Sequence, residues 1–252
     1  KLITANNIVA NVDDLHPFFE SVGELLADDG LFVLESGYWL DILQNMLFDT
    51  VYHEHLSYFS IQPLQKFFLS TPLEMIHAFH TPSKGGCLRY VFARRQRGIA
   101  PSAELLAMKE REQQMGLDTY ETNAAYAARI NACKADVIRL FDEIKSKNGS
   151  IAVYGASNTT TTLLYHFELA KYIDYIVDDN PIKIGLYSPG LHIPVLSPEV
   201  IYNKRPDYIF VAAWRFHKII IDRHPAYSQG GGKWIVPLPK LLALPGFPWV
   251  GD

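Results

Sequence analysis

The chain has 252 residues, 48% of them hydrophobic, and a formal charge of −4 at pH 7. That length leaves room for one large or two ordinary domains with a sizeable core. The mild negative charge gives no electrostatic reason to expect nucleic acid or an anionic membrane as partner. Two cysteines far apart, Cys87 and Cys133, speak against a disulfide framework, leave no CxxC pair for zinc, and fit a reducing, cytoplasmic setting. No apolar run reaches about 18 residues, so no membrane-spanning helix is expected. The start at Lys1-Leu2-Ile3 carries neither an initiator Met nor a signal pattern and reads as mid-strand, so a piece of a longer protein is expected.

Leu2 to Val12 reads as a buried strand with a polar end at Asn6-Asn7. Asp13-Asp14 offer helix-capping oxygens. Leu15 to Ala27 places Leu15, Phe18, Phe19, Val22, Leu25 and Leu26 on one helical face. Gly30 suits the left-handed position after a helix. Leu31 to Glu35 (LFVLE) is a continuous apolar run, as a strand covered on both faces should be. Strand, helix and strand in this order make a crossover unit whose strand carboxyl ends hold ligands. That puts Asn6, Asn7, Glu35, Ser36 and Tyr38 at one rim. Trp39 to Leu47 and Ile61 to Leu69 read as helices, the second with Pro63 in its first turn. Leu73 to Phe79 and Cys87 to Arg94 read as strands joined through Gly85-Gly86.

Arg95 to Ser102 is basic and contains Gly and Pro, which predicts a boundary. Two helices follow, over 103–114 and about 119–146, the second with a core stripe of Tyr126, Ile130, Cys133, Val137, Leu140 and Ile144. Asn148-Gly149 ends it. Strands are predicted at Ile151 to Tyr154, Tyr175 to Val177, Tyr208 to Ala212 and Trp234 to Val236, with a helix over Thr160 to Ala170. The expected domains are therefore residues 1–100, a helical linker 101–148, and a second small α/β domain 149–252.

One stretch fits neither the helical nor the strand period: Phe48 to Ser60, FDTVYHEHLSYFS. Between apolar anchors it holds Tyr52, His53, Glu54 and His55. Imidazole has the ordinary pKa nearest neutrality, so it is the natural general base here. If this piece were extended, His53 and His55 would share a face and Glu54 would point away. A metal site using His53, His55 and either His77 or His80 competes with this reading, but nothing fixes a third ligand. The bland alternative is a hydrogen-bonded domain junction without chemistry. In the last domain, Tyr154-Gly155-Ala156-Ser157 follows a strand and opens a helix, where backbone N–H groups can meet an anion.

Several motifs fall in the order found in one family. They are Leu26 to Glu35, FDTVYHEHLSYFS, the Lys84-Gly85-Gly86-Cys87-Leu88-Arg89 turn, Val153-Tyr154-Gly155-Ala156, and the run from Asp179-Asn180-Pro181 through Lys183 and Gly185 to His192-Ile193-Pro194. The chain resembles the nucleotide-sugar C-methyltransferases, which methylate a carbon beside a ketone on deoxysugars with S-adenosylmethionine. The resemblance implies the second half of a Rossmann-like methyltransferase sheet, a helical linker, and a second small Rossmann-like α/β domain. It implies His55 as the base, with Glu54 and Tyr52 orienting the sugar or polarising the enolate oxygen. Asn6 and Asn7 are the cofactor-side candidates. Asn11, Lys84, Tyr154, Gly155, Ala156, Ser157, Lys183 and His192 are the candidates for the nucleotide-sugar substrate. The family's cysteine-bound zinc module and the glycine-rich loop that holds S-adenosylmethionine find no counterpart here, so the chain alone is expected to be inactive. Asn11 and Lys84 stand where the family often has His, and Thr159 where it often has Lys or Arg. The alternative is a non-catalytic nucleotide-sugar-binding module. The sequence leaves the sugar, the nucleotide, the carbon and the oligomeric state open.

Overall fold

The apolar runs organise two separate sheets in the computed structural model, which describes residues 1–244. Contacts divide the chain into two units. Among the described residues, the first comprises Lys1–Phe48 and His53–Ala127; the second comprises Asp49–Tyr52 and residues 128–244.

In the first unit, β1 (Leu2–Asn6), α1 (Leu15–Leu25), β2 (Leu31–Gly37) and α2 (Trp39–Gln44) are followed by α3 (Ile61–Phe68), β3 (Leu73–Thr81), β4 (Cys87–Arg94) and α4 (Ala103–Gln114). The sheet order is β1-β2-β4-β3. β1 and β2 are parallel, and β4 runs antiparallel to both β2 and β3. The predicted crossover and hairpin are both present. Asp14 caps α1 by accepting the His16 N–H. Phe19 on α1 packs edge-on against Phe32 and Phe68, and Phe68 meets Phe92 at 4.2 Å between ring centres. Each such buried ring contributes about 1.5–3 kcal/mol. Ser60 makes no side-chain cap for α3. Instead the buried Glu112 carboxylate of α4 accepts the N–H groups of Ile61 (2.8 Å) and Gln62 (3.2 Å), which satisfies two orphan donors and ties the helices together.

Two expectations are corrected. The first strand stops at Asn6, because Asn7 takes a left-handed turn (φ 54°) and Val9–Asn11 winds into a 3-10 turn. β1 is also not buried: it is an edge strand with Leu2 63% exposed. Gly30 does not adopt the left-handed conformation. Its requirement is space, since a Cβ there would lie 2.9 Å from the Leu26 side chain.

α5 (Tyr120–Ser146) begins in the first unit and continues into the second. The residues expected as a linker, 101–148, thus fall on both sides of the division, with α4 wholly in the first unit. Val137, Leu140 and Ile144 of the predicted stripe are buried. The second unit continues with β5 (Ile151–Tyr154), α6 (Asn158–His166), β6 (Tyr175–Val177), β7 (Val195–Leu196), α7 (Val200–Lys204), β8 (Tyr208–Val211), α8 (His217–Arg223), α9 (Pro225–Gln229), β9 (Lys233–Val236) and β10 (Leu242–Leu244). The order is β10-β9-β8-β5-β6-β7, all parallel except β10. β5 is flanked by β6 and β8, so the strand order reverses there, the place where open sheets bind ligands.

Candidate functional site

In the first unit, β1 and β2 end at the same edge at which β3 turns into β4. The segment after Tyr52 lies along this edge. His53 and Glu54 form a turn, so the shared-face rule for an extended strand does not apply. The N–H groups of Leu56 (2.7 Å) and Ser57 (3.1 Å) donate to Ala10 O, just beyond β1. Trp39 N–H donates to Phe59 O at 3.0 Å, just beyond β2. His55 is half-buried and stands edge-on to Tyr58, with ring centres 6.3 Å apart. Tyr58 in turn meets Trp39 at 5.6 Å. Asn11 lies beside Ala10 in the 3-10 turn that receives this segment.

The rim itself centres on Glu35, only 5% exposed. Its Oε1 accepts the Asn7 side-chain amide at 3.1 Å, and its Oε2 accepts Arg89 Nε–H at 2.5 Å. Asn7 also donates its backbone N–H to Glu35 O at 2.7 Å. Asn6 is exposed at the strand end. Lys84 is exposed in a left-handed turn (φ 53°), near enough to Cys87 that its charge opposes the burial that pushes the thiol up to about 11. The turn fits because residue 86 is glycine: a Cβ there would lie 2.3 Å from the Asp41 carboxyl carbon. Asp41 bonds His80 Nε2 at 2.8 Å, and burial raises its carboxyl while His80 opposes the rise. Among the described residues no group of three or more His, Cys, Asp or Glu is placed to hold a metal ion.

Tyr52 is grouped with the second unit. There, Gly155 (φ +105°) lies against the loop after β8, and an added Cβ would come within 2.8 Å of Ala213 Cβ. The amides of the following turn are filled by the protein's own groups. Gly155 N–H meets Val177 O, Ala156 N–H meets Asp178 Oδ2 at 2.6 Å, and Ser157 N–H meets Thr160 Oγ1 in a capping box. The expected anion-binding amides are therefore committed in this conformation. Lys183 Nζ sits 3.5 Å from the same Asp178 carboxylate, and His192 is exposed in a left-handed turn. A cavity of about 200 Å3 lies next to this turn, lined by Ser157, Thr161, Leu164, Lys183, Tyr187 and Pro189 among others. The Tyr154 side chain faces elsewhere, donating to Asp179 Oδ1 at 2.9 Å and lying 3.1 Å from His224 Nε2.

Sequence reasoning placed Glu35 at the rim but gave no role to Arg89, Asp49 or Asp178. An isolated acid between Phe48 and Thr50, and paired acids at the end of a buried strand, were the available signals.

Parallel strands with crossover helices in both units, and an antiparallel hairpin closing the first sheet, define an α/β protein with a Rossmann-like methyltransferase arrangement. Residues 82–239 match the family model described as the C-methyltransferase C-terminal domain. The chain belongs to this C-methyltransferase family. It is 32% identical over 244 residues to C-methyltransferase NovU of Streptomyces niveus, covering 95% of this chain and 57% of that protein. Among the described residues no helix is long and apolar enough to cross a membrane.

Proposed function

We propose that this chain is the acceptor-binding and proton-abstracting part of an S-adenosylmethionine-dependent C-methyltransferase that acts in the cytoplasm on a nucleotide-linked keto-deoxysugar. His55 is the base. The observation that supports this most is the course of residues 53–59 past the ends of β1 and β2, the side of an open α/β sheet that ligands use.

A proton on the carbon beside a ketone is acidic because the electron pair it leaves delocalises into an enolate. His55 takes that proton on a ring nitrogen, and the pair passes through the carbon–oxygen system and back to form the new carbon–carbon bond. Glu54 orients the sugar hydroxyls, and the Lys84 and Arg89 cations favour charge on the enolate oxygen. S-adenosylmethionine, when bound, would supply the methyl group. The described residues of the first unit fit that cofactor incompletely. Asn6 offers an exposed amide, but the Asn7 amide is spent on Glu35, and no glycine-rich strand-to-helix turn lies in this unit. The residues here therefore account for the acceptor half of the reaction.

In the complete enzyme, His55→Ala should abolish methyl transfer and solvent-deuterium exchange at the acceptor carbon while leaving S-adenosylmethionine affinity nearly unchanged. Normal turnover sinks the assignment. A second reading, a nucleotide-sugar-binding module without catalysis, is favoured by the cavity held wholly within the second unit. It predicts thermal stabilisation by a nucleotide sugar with no methyl transfer by the complete protein.

A further inference from the structure

The geometry points to a sugar-hydroxyl subsite in the first unit, in which Tyr38, Asp41 and Arg111 read the ring of the acceptor; this rests on reading that acceptor as a nucleotide-linked sugar. A cavity of about 270 Å3 is lined by Tyr38, Asp41, His80, Leu88, Met108 and Arg111, all of them within this unit. Tyr38 stands directly after β2, and Asp41 lies in the first turn of α2. His80 of β3 is paired with Leu88 of β4. Met108 and Arg111 are three apart on α4 and so share a face.

The feature that calls for a ligand is the Tyr38 hydroxyl. Tyr38 is 4% exposed, and its Oη has no hydrogen-bond partner among the described residues. The nearby Glu112 carboxylate is committed to the Ile61 and Gln62 N–H groups. Burial first, and then the Glu112 charge, push the phenol far above its usual 10, so the oxygen keeps its proton and remains a donor. A buried hydroxyl left unmatched weakens the fold, and a partner in the cavity removes that cost. Beside it, Asp41 Oδ2 lies 2.8 Å from His80 Nε2, which leaves Oδ1 as an acceptor. Arg111 offers only donors. A sugar hydroxyl both donates and accepts, so a ring with neighbouring hydroxyls meets all three groups, while Leu88 and Met108 face its carbons. Phosphate fits less well, because Asp41 and Glu112 set two carboxylates against the single Arg111 guanidinium near Tyr38. Pockets for drug-sized ligands run from about 300 to 1,000 Å3, so this one admits a single ring and not a whole nucleotide.

The subsite adjoins the segment that carries His55. Tyr38 pairs with Phe59 in a parallel bridge, and its N–H donates to Gly86 O at 3.2 Å. Phe59 is four residues past His55. A ring held against Tyr38 therefore lies at the sheet edge along which residues 53–59 run.

The test is saturation-transfer NMR on this chain with the 6-deoxyhexose D-fucose as probe, and with tetrahydropyran as a ring that lacks hydroxyls. The wild type should bind D-fucose and not tetrahydropyran at the same concentration. Tyr38→Phe removes only the unmatched oxygen. It should melt no lower than the wild type and bind D-fucose at least tenfold more weakly. Arg111→Met, at an exposed position, should weaken D-fucose binding in the same way, and it decides the matter if Tyr38→Phe does not fold. Equal D-fucose affinity in the folded variants and the wild type overturns the proposal, as does a wild type that ignores D-fucose. A lower melting temperature for Tyr38→Phe also overturns it, because the hydroxyl would then serve the fold. Displacement of D-fucose by millimolar inorganic pyrophosphate would make this an anion site and overturn it too. The reading of the acceptor is tested apart, by thermal stabilisation of the complete protein with a nucleotide sugar. No stabilisation there, with D-fucose still bound through Tyr38, removes the nucleotide-linked acceptor and leaves the subsite standing. Equal stabilisation of wild type and Tyr38→Phe keeps the acceptor and removes the subsite.

Discussion

The backbone N–H of Ala156 donates to Asp178 Oδ2 across 2.6 Å, so the turn after β5 already holds an anion, and that anion belongs to the protein. Asp178 Oδ1 also accepts the Asn180 N–H at 2.8 Å. Asp178→Ala leaves both amides unmatched and should cost about 3–6 kcal/mol in urea denaturation, since hydrogen bonds to a charged partner are worth about 1.5–3 kcal/mol each. Asp178→Asn should cost less. The same variant should be stabilised thermally by millimolar pyrophosphate, whereas the wild type should not respond, because its carboxylate repels the ligand from that turn. An equal response in both proteins would show that phosphate binds without using these amides.

The Glu35–Arg89 pair at the rim makes a different prediction. Removing one partner of a fully buried ion pair costs about 3–5 kcal/mol. The Arg89 side chain is 46% exposed, so Arg89→Ala should cost less, about 2 kcal/mol. Adding Glu35→Gln should recover part of that loss, because the amide needs no counter-charge. A double-mutant cycle by urea denaturation measures the coupling. Additive losses would mean that Glu35 is adequately satisfied by Asn7 alone.

Glycine 86 offers a test of the hairpin turn. Its φ is +137° and an added Cβ would lie 2.3–2.4 Å from Asp41. Gly98 also has a positive φ, +59°, but nothing lies within 4 Å of its would-be Cβ. Gly98→Ala should therefore cost about 1 kcal/mol of backbone strain. Gly86→Ala should cost above ~3 kcal/mol, the strain plus the collision. Similar melting temperatures for the two variants would contradict the close approach of turn and Asp41.

These contacts also show which parts of the structure local sequence could reveal. The 27-residue α5 and the buried runs that became β2, β5, β6 and β8 carry strong periods or dense apolar character, so they were readable in place. β7 has two residues, and α7 and α9 have five each, too few for a period to emerge. Asn7 and Lys84 use left-handed backbone that their residue types permit without announcing. At the candidate site, the odd composition of FDTVYHEHLSYFS marked the segment, yet Asp49 finds its donors 165 and 166 residues away. Arg89 is 54 residues from Glu35. Pairings at such separations are decided by the packed sheets, and nothing in the neighbouring residues encodes them.

His224 supplies a pH prediction. It is 8% exposed, with Nε2 3.1 Å from Tyr154 Oη and Nδ1 2.7 Å from Tyr202 Oη. Tyr154 Oη donates to Asp179, so it must accept the Nε2 proton, and Nδ1 must accept from Tyr202. That pattern is complete for a neutral ring. Burial lowers the His224 pKa from its ordinary 6.5, with Asp179 opposing and Arg223 reinforcing the shift. The unfolded chain therefore binds this proton more readily than the folded one. The stability His224 contributes is fully present above the unfolded value and is lost as pH falls through the folded value. Burial lowers the His166 pKa in the same sense, while the raised carboxyls of Asp41, Asp49 and Glu112 act in the opposite sense. These other groups cancel when the wild type is compared with His224→Gln. At about pH 7.5 the variant should be weaker by about 1–3 kcal/mol, the cost of a disrupted buried hydrogen-bond chain. At about pH 5.5 the gap should narrow, because only the wild type bears the cost of charging this ring. A gap that stays constant or widens on acidification would show that His224 is not held neutral in the folded protein.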